Sequence, residues 1–269
     1  MLVKVENVQK KYVIKEKTIF RKKYHHIING VSLYLNQGEC LGIIGESGSG
    51  KSTLSRMILG IEKPNEGNIL MDGHNFWEVS SAQRKALKRE ISIVFQDYTS
   101  SVNPNFTVKE IIAEPLFLLK NVAEKEKSSR ITELLYKVEL DDSFLERYPH
   151  ELSGGQLQRV CIARAIATKP KLVVLDEAIS SLDVSIQLKI LDLLIKLKEE
   201  EQLSYIFITH DLMTLTYICD RVCFLKDGRI VEQVQSLDQL TNVSHPYAQG
   251  LLNAVLHIEQ FNANKEVIG

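Results

Sequence analysis

The residues with the most legible chemistry are Gly45, Gly50, Lys51 and Ser52, which occupy every fixed position of G-x-x-x-x-G-K-[ST] in the run Gly45-Glu46-Ser47-Gly48-Ser49-Gly50-Lys51-Ser52-Thr53. Glycines at this spacing let a loop curl until successive N–H groups face one anion. A helix beginning at the lysine then adds its unsatisfied amides and the positive end of its dipole. The lysine brings a compact charge for the β and γ phosphates of a nucleotide, and the serine hydroxyl a ligand for magnesium. Apolar Leu41 to Ile44 precedes the run and helical spacing resumes from Leu54 to Leu59, so the order is strand, loop, helix, the context the pattern requires.

Three further strand ends carry polar residues suited to the same chemistry. The apolar run from Leu172 to Leu175 ends in Asp176 and Glu177, placed to hold magnesium through water and to reach an attacking water, respectively. Ile91 to Phe95 delivers Gln96, a candidate to sense the metal and the γ phosphate. Tyr205 to Ile208 delivers Thr209-His210-Asp211, with His210 able to contact the γ phosphate and orient the water. Ligands of open α/β sheets gather at such C-terminal strand ends. Taken singly, each residue has a plain structural reading; their recurrence at successive strand ends favours function.

A second anion cradle follows from Leu152-Ser153-Gly154-Gly155-Gln156, which opens a helix expected over Gln156 to Ala167. One phosphate loop already covers one side of a nucleotide, so this cradle is expected to serve a nucleotide held by another chain facing head to tail. A capped helix after a glycine turn explains Ser153 but not the paired glycines. Tyr12, after the first strand, fits two roles equally: stacking on adenine or filling the core.

Stepping outward to the elements, Leu2 to Glu6 and Val31 to Leu35 alternate as strands, and the basic segment Lys15 to His26 between them reads as an exposed loop. Its His25-His26 pair has no third ligand in view. A turn at Pro64 to Gly67, a strand Asn68 to Met71 ending in Asp72-Gly73, and a basic helix Ser81 to Arg89 come next. The following block is helical: an apolar helix Ile111 to Leu119 broken at Pro115, a charged stretch Glu124 to Arg130, an amphipathic helix Ile131 to Val138, and a loop at Leu140 to Asp142. Ser180 to Asp183 is a polar turn expected to cap the helix Ile186 to Leu197. Val222 to Leu225 and Arg229 to Glu232 flank Lys226-Asp227-Gly228 as a hairpin, and two short helices are expected after Ser236.

The 269 residues suffice for a substantial core, and 44% hydrophobic with 25% charged residues is ordinary for a globular protein. A formal net charge of −1 gives no electrostatic reason to propose a nucleic-acid partner. No window holds the roughly 18 apolar residues that cross a bilayer, and the N-terminus alternates like a strand, so a cytoplasmic chain is expected unless a partner holds it at a membrane. Cys40, Cys161, Cys219 and Cys223 sit in apolar contexts and read as buried thiols of a reducing compartment.

In this order the pieces resemble the ATP-binding cassette (ABC) family from Val3 to about Leu256. Gly45 to Ser52 is similar to its Walker A, Gln96 to its Q-loop, Leu152 to Gln156 to its signature, Leu172 to Glu177 to its Walker B, Ser180 to Asp183 to its D-loop, and His210 to its switch histidine. Ser181 stands where alanine is common. Phe95-Gln96-Asp97, Ser101-Val102-Asn103-Pro104 and His245-Pro246-Tyr247 look like the peptide/nickel importer group. Ala82 to Ala86, Leu157 to Cys161 and Asn253 to Leu256 look most like its nickel-import subunits.

The resemblance implies an α/β P-loop NTPase fold: a RecA-like parallel core, an antiparallel β subdomain and an inserted α-helical subdomain at about 97–168. It implies an ABC domain over 1–256, with 257–269 a polar tail. ATP and Mg2+ would be the ligands, with Ser52, Gln96 and Asp176 at the metal and Glu46, Ser47, Gly48, Ser49, Thr53 and Asp183 among the nucleotide contacts. The implied partners are a second ATPase subunit, giving a heterodimer, two membrane permease subunits and, indirectly, an extracytoplasmic solute-binding protein. The chain would then lie at the cytoplasmic face of the membrane, hydrolysing ATP to import nickel. A dipeptide or oligopeptide importer subunit is the alternative within the family, and a cytosolic ABC ATPase outside transport is the alternative beyond it.

Overall fold

A computed structural model describes residues 1–14, 23–118 and 124–254. In chain order the elements are β1 Val3–Ile14, β2 Lys23–Leu35, β3 Cys40–Ile44, α1 Lys51–Ile58, β4 Glu66–Met71, β5 His74–Asn75, α2 Ser81–Arg89, β6 Ile91–Val94 and α3 Val108–Ala113. After a 3-10 turn at Glu114–Leu118 come α4 Glu124–Lys137, α5 Gly154–Ile166, β7 Leu172–Asp176, α6 Val184–Glu200, β8 Ser204–Thr209, α7 Leu212–Ile218, β9 Arg221–Lys226 and β10 Arg229–Val234. A last helix, α8, covers residues 246–254.

The chain forms two compact units. The first comprises Met1–Leu35, Glu39–Phe76 and Phe207 onward; the second comprises Asn36–Gly38 and Trp77–Ile206. In the first, β1 pairs antiparallel with β2 and β4, and β4 with β5, while β3 runs parallel to β9 and β9 pairs antiparallel with β10. Every residue of β3 is buried, which is why its sequence is an unbroken apolar run. Leu41, Ile43 and Ile44 each contribute roughly 1.5 to 3 kcal/mol by leaving water.

Arg221, 7% exposed, knits this unit together. Its guanidinium pairs with Glu39 and donates to Gln235 Oε1 at 3.0 Å and to the Tyr34 carbonyl at 2.7 Å, and it lies 4.0 Å from the centre of the Tyr34 ring. Cys40 and Cys219 are buried with their Sγ atoms 3.5 Å apart, and all four cysteines are free thiols. Burial pushes the Cys223 thiol up to about 12, so it stays a packing group.

In the second unit β6 runs parallel to β7, and α5 carries a long buried face that includes Leu157, Val160, Ile162 and Ile166. Arg164 on α5 donates to the Ser101 carbonyl at 2.6 Å and to Ser101 Oγ at 3.2 Å. A cavity of about 420 Å³ opens beside it, lined among others by Phe95, Ser101, Glu114, Pro115 and Arg164.

Several sequence expectations need correction. The part of the basic loop that is described, Lys23 to His26, is strand rather than loop: His26 faces Lys11 and His25 faces Tyr12 across β2 and β1. The rest of that segment and the polar tail lie outside the described residues. The charged stretch from Glu124 is the opening of α4, because Glu, Lys and Arg are good helix formers and ion pairs such as Lys137 to Glu133 at 2.7 Å support it. Pro115 ends α3 and hands the chain to the 3-10 turn, and Leu116 is core. Asp183 does stand at the N-cap of α6, but its side chain makes no capping bond; Gln187 instead takes the Ile179 and Leu182 carbonyls at 3.1 and 2.9 Å.

Candidate functional site

Two sets of predicted site residues lie on the two units, and each has its own geometry. In the first unit the loop between β3 and α1 closes on itself. Lys51, 6% exposed, donates from Nζ to the Gly45 carbonyl at 2.7 Å and to the Glu46 carbonyl at 3.0 Å. Glycine is required at both ends of the loop. A Cβ on Gly45 would lie 2.3 Å from the Leu225 carbonyl oxygen, and Gly50 has φ 109° with Ile28 pressed against the place a Cβ would take.

Gly50 is the N-cap of α1 and gives no side-chain bond, so the first amides of the helix meet no capping oxygen. Ser49 Oγ is buried and has no hydrogen-bond partner among the described residues. Ser52, the second residue of the helix, is exposed. A helix start without a side-chain cap, a buried Ser49 hydroxyl without a partner among the described residues and a lysine held on backbone carbonyls together suit a polyphosphate.

Tyr12 is not core: it is 38% exposed, and its hydroxyl donates to Glu62 Oε1 at 2.6 Å. Arg56 joins the same carboxylate at 3.3 Å and reaches Thr53 Oγ1 at 3.2 Å, so Tyr12 is linked to the first turn of α1. Burial alone would raise the Glu62 carboxyl, but hydrogen bonds from Tyr12 and Lys10 outweigh it and hold the group below its ordinary range. His210 follows β8 directly and is exposed. The next residue, Asp211, caps α7 by accepting from Met213 N at 2.9 Å.

In the second unit Ser153 is the N-cap of α5 in a reciprocal capping box. Its Oγ accepts from Gln156 N at 3.4 Å, and its own N–H donates to Gln156 Oε1 at 2.9 Å. Leu157 N donates to the Ser153 carbonyl at 2.9 Å, leaving the Gly154 and Gly155 amides at the tip. Both glycines have steric reasons as well. A Cβ on Gly154 would come within 2.7 Å of the Tyr98 hydroxyl and 3.4 Å of Leu182, and one on Gly155 within 2.7 Å of Ile186 Cγ2. The paired glycines therefore bring three expected site regions together: the segment after Gln96, the signature, and the turn before α6.

Gln96 lies exposed just past β6. Next to it Asp97 organises the turn, accepting from Thr99 Oγ1 at 2.6 Å, Ser100 N at 3.0 Å and Thr99 N at 3.1 Å. Those bonds, led by the Thr99 hydroxyl and Ser100, lower its carboxyl to about 2. Asp176 closes β7, and Glu177 after it has φ 49°, a left-handed backbone that disfavours any residue but glycine. Ser180 holds this conformation, donating to the Glu177 carbonyl from Oγ at 2.9 Å and from N at 3.2 Å.

Sequence reasoning missed Tyr98 and Tyr247. Tyr247, whose hydroxyl accepts from Glu46 N at 2.9 Å, appeared only within His245-Pro246-Tyr247, with no chemistry attached.

Comparison with known proteins places these features in a wider set. Residues 28–180 match the family described as ABC transporter. Over 239 residues the chain is 45% identical to the nickel import ATP-binding protein NikE of Escherichia coli O157:H7 and 46% identical to that of Shigella boydii serotype 4, covering 88% of this chain and 89% of each relative. Among solved structures, the dimeric post-hydrolysis state of the ATP-binding cassette MJ0796 bound to ADP and Pi superposes with TM-score 0.75 at 33% identity, covering 86% of this chain and 97% of that one. CbiO1 from Clostridium perfringens, part of the complex cbiONQ, superposes with TM-score 0.75 at 28% identity, covering 87% and 88%.

Proposed function

Because the chain belongs to the ABC transporter family, we propose that it is the ATP-hydrolysing subunit of an importer whose cargo is nickel, as the ion or a chelate. The observation that carries the nucleotide part is the closed loop around Lys51, with the uncapped start of α1 facing outward. Identity of 45–46% to nickel import proteins supports the cargo. The choice of nickel over a peptide rests on that identity.

Lys51 would exchange the Gly45 and Glu46 carbonyls for the β and γ phosphates, and the amides at the start of α1 would take the remaining phosphate oxygens. Ser52, Gln96 and Asp176 are the residues that would hold Mg2+; the ion, when bound, would neutralise charge developing on the phosphates. Glu177 is the proposed base that takes a proton from the attacking water, and His210 orients that water. Ser153 with the Gly154 and Gly155 amides would meet a nucleotide carried by a second ATPase subunit, and a different chain in that position would make the pair a heterodimer.

Two permease subunits would hold the chain at the cytoplasmic face of the membrane. Among the described residues no helix is long and apolar enough to cross it. The cavity beside Arg164, with Phe95 44% exposed at its edge, supports a short permease helix docking there.

The test is ATP turnover of the reconstituted complex with its binding protein, with and without nickel. Stimulation by nickel and not by peptides is expected, and the reverse would give the chain to a peptide importer. Replacing Glu177 with Gln should keep ATP bound and slow turnover by roughly 10² to 10⁴-fold; unaltered hydrolysis would remove Glu177 from its role.

A further inference from the structure

The phosphate loop is held from outside by a residue that belongs to none of the nucleotide motifs. The backbone N–H of Glu46 donates to the Tyr247 hydroxyl at 2.9 Å. On its other side the Glu46 carbonyl takes Lys51 Nζ at 3.0 Å and Ser49 N at 3.2 Å, so this one residue is gripped at each end. Lys226 Nζ lies 4.8 Å from the centre of the Tyr247 ring, and two residues on, Gly228 N donates to the Ser49 carbonyl at 3.0 Å.

The start of α8, which carries Tyr247, is pinned in turn. Glu232 accepts from His245 N at 2.7 Å, Ser244 N at 2.9 Å and Ser244 Oγ at 3.1 Å, and His245 Nδ1 accepts from Tyr247 N at 3.1 Å. Burial holds the Tyr247 hydroxyl above its ordinary value, so it stays neutral across the working range.

We propose that Tyr247 is a positioning residue for nucleotide binding: its hydroxyl fixes the Glu46 peptide and so keeps the loop in the shape that receives phosphate. This rests on the reading of the loop as an ATP site. Lys51 must leave the Glu46 carbonyl to meet the phosphates, which removes one of the bonds that shape the loop. The Tyr247 bond lies on the opposite edge of the same residue and need not break. It therefore carries the loop geometry through binding, and it makes ATP affinity answer to the placement of α8.

In the full-length chain, Tyr247→Phe keeps the ring and its contact with Lys226 and deletes only the acceptor. One hydrogen bond of this kind predicts a Kd for a trinitrophenyl ATP analogue, and a KM for ATP, raised about 3- to 10-fold, with kcat within twofold and the melting midpoint unmoved. Glu232→Gln, which loosens the anchor of α8, should raise Kd in the same direction by about twofold.

The proposal is overturned by an unchanged Kd in Tyr247→Phe, or by a loss of kcat and melting temperature with Kd unmoved. ATP binding that survives Lys51→Ala would instead sink the nucleotide reading itself and leave the contact between Tyr247 and Glu46 without this role.

Discussion

Two helices begin at glycine-bearing turns, α1 in the first unit and α5 in the second, and they begin in opposite ways. At α1 the N-cap is Gly50, no side chain caps the helix, and the adjacent Lys51 is folded onto backbone carbonyls. At α5 the N-cap is Ser153 in a complete capping box with Gln156, worth about 1 kcal/mol to the helix on its own. The first terminus has no side-chain cap, as the proposed phosphate loop requires. The second is finished without one and offers only two amides at its tip. On the proposed reading, the first is a binding loop with donors to spare and the second a surface that holds its shape for a partner's ligand.

That contrast can be broken by substitution, beginning where the effect is largest. Ser153→Phe should lower turnover of the assembled complex by about 10² to 10³-fold, the usual worth of a preorganised donor to phosphate charge, while ATP affinity of the isolated chain stays within about twofold. A collapse of that affinity would mean that α5 serves its own chain's nucleotide. Lys51→Ala should do the opposite, weakening ATP binding by the isolated chain about ten- to a hundredfold through loss of a charge-assisted contact, as read by equilibrium dialysis.

Gly155→Ala sharpens the comparison sterically. The new methyl would meet Ile186 Cγ2 at 2.7 Å and should cost about 1 to 3 kcal/mol in denaturant unfolding, largely recovered by Ile186→Ala. The smallest effect is acid sensitivity of the turn after Gln96. The folded-state Asp97 carboxyl is lowered to about 2 from 3.8, so its contribution is in place above about pH 4 and is lost as pH falls towards 2. Asp97→Asn should flatten that acid limb slightly while leaving stability at neutral pH nearly unchanged.

Much of this was legible in the sequence because each unit reports its periodicity honestly. β3, β7 and β8 are largely apolar runs because they are buried along nearly all their length. The hairpin of β9 and β10 announced itself through Asp227-Gly228. What sequence could not supply was contact between distant residues. The paired glycines after Ser153 looked like an anion signature alone, and only Tyr98 and Ile186, 56 residues before Gly154 and 31 after Gly155, show the packing that also demands them. The strained backbone of Glu177 leaves no trace in composition, because the turn bonded by Ser180 imposes it. Likewise the strand at Lys23 to His26 reads as a polar loop, since its side chains are exposed and pairing with β1 rather than burial defines it.

Arg221 has a consequence for how the first unit comes apart. A guanidinium shared among Glu39, Tyr34 and Gln235 cannot surrender one of them cheaply, because peeling away any single strand abandons a charge in a poorly solvated interior. Fraying from an edge is thus discouraged, and the unit is expected to open all at once or not at all. Lysine, with no planar fork to serve three acceptors, would turn that abrupt opening into a gradual one.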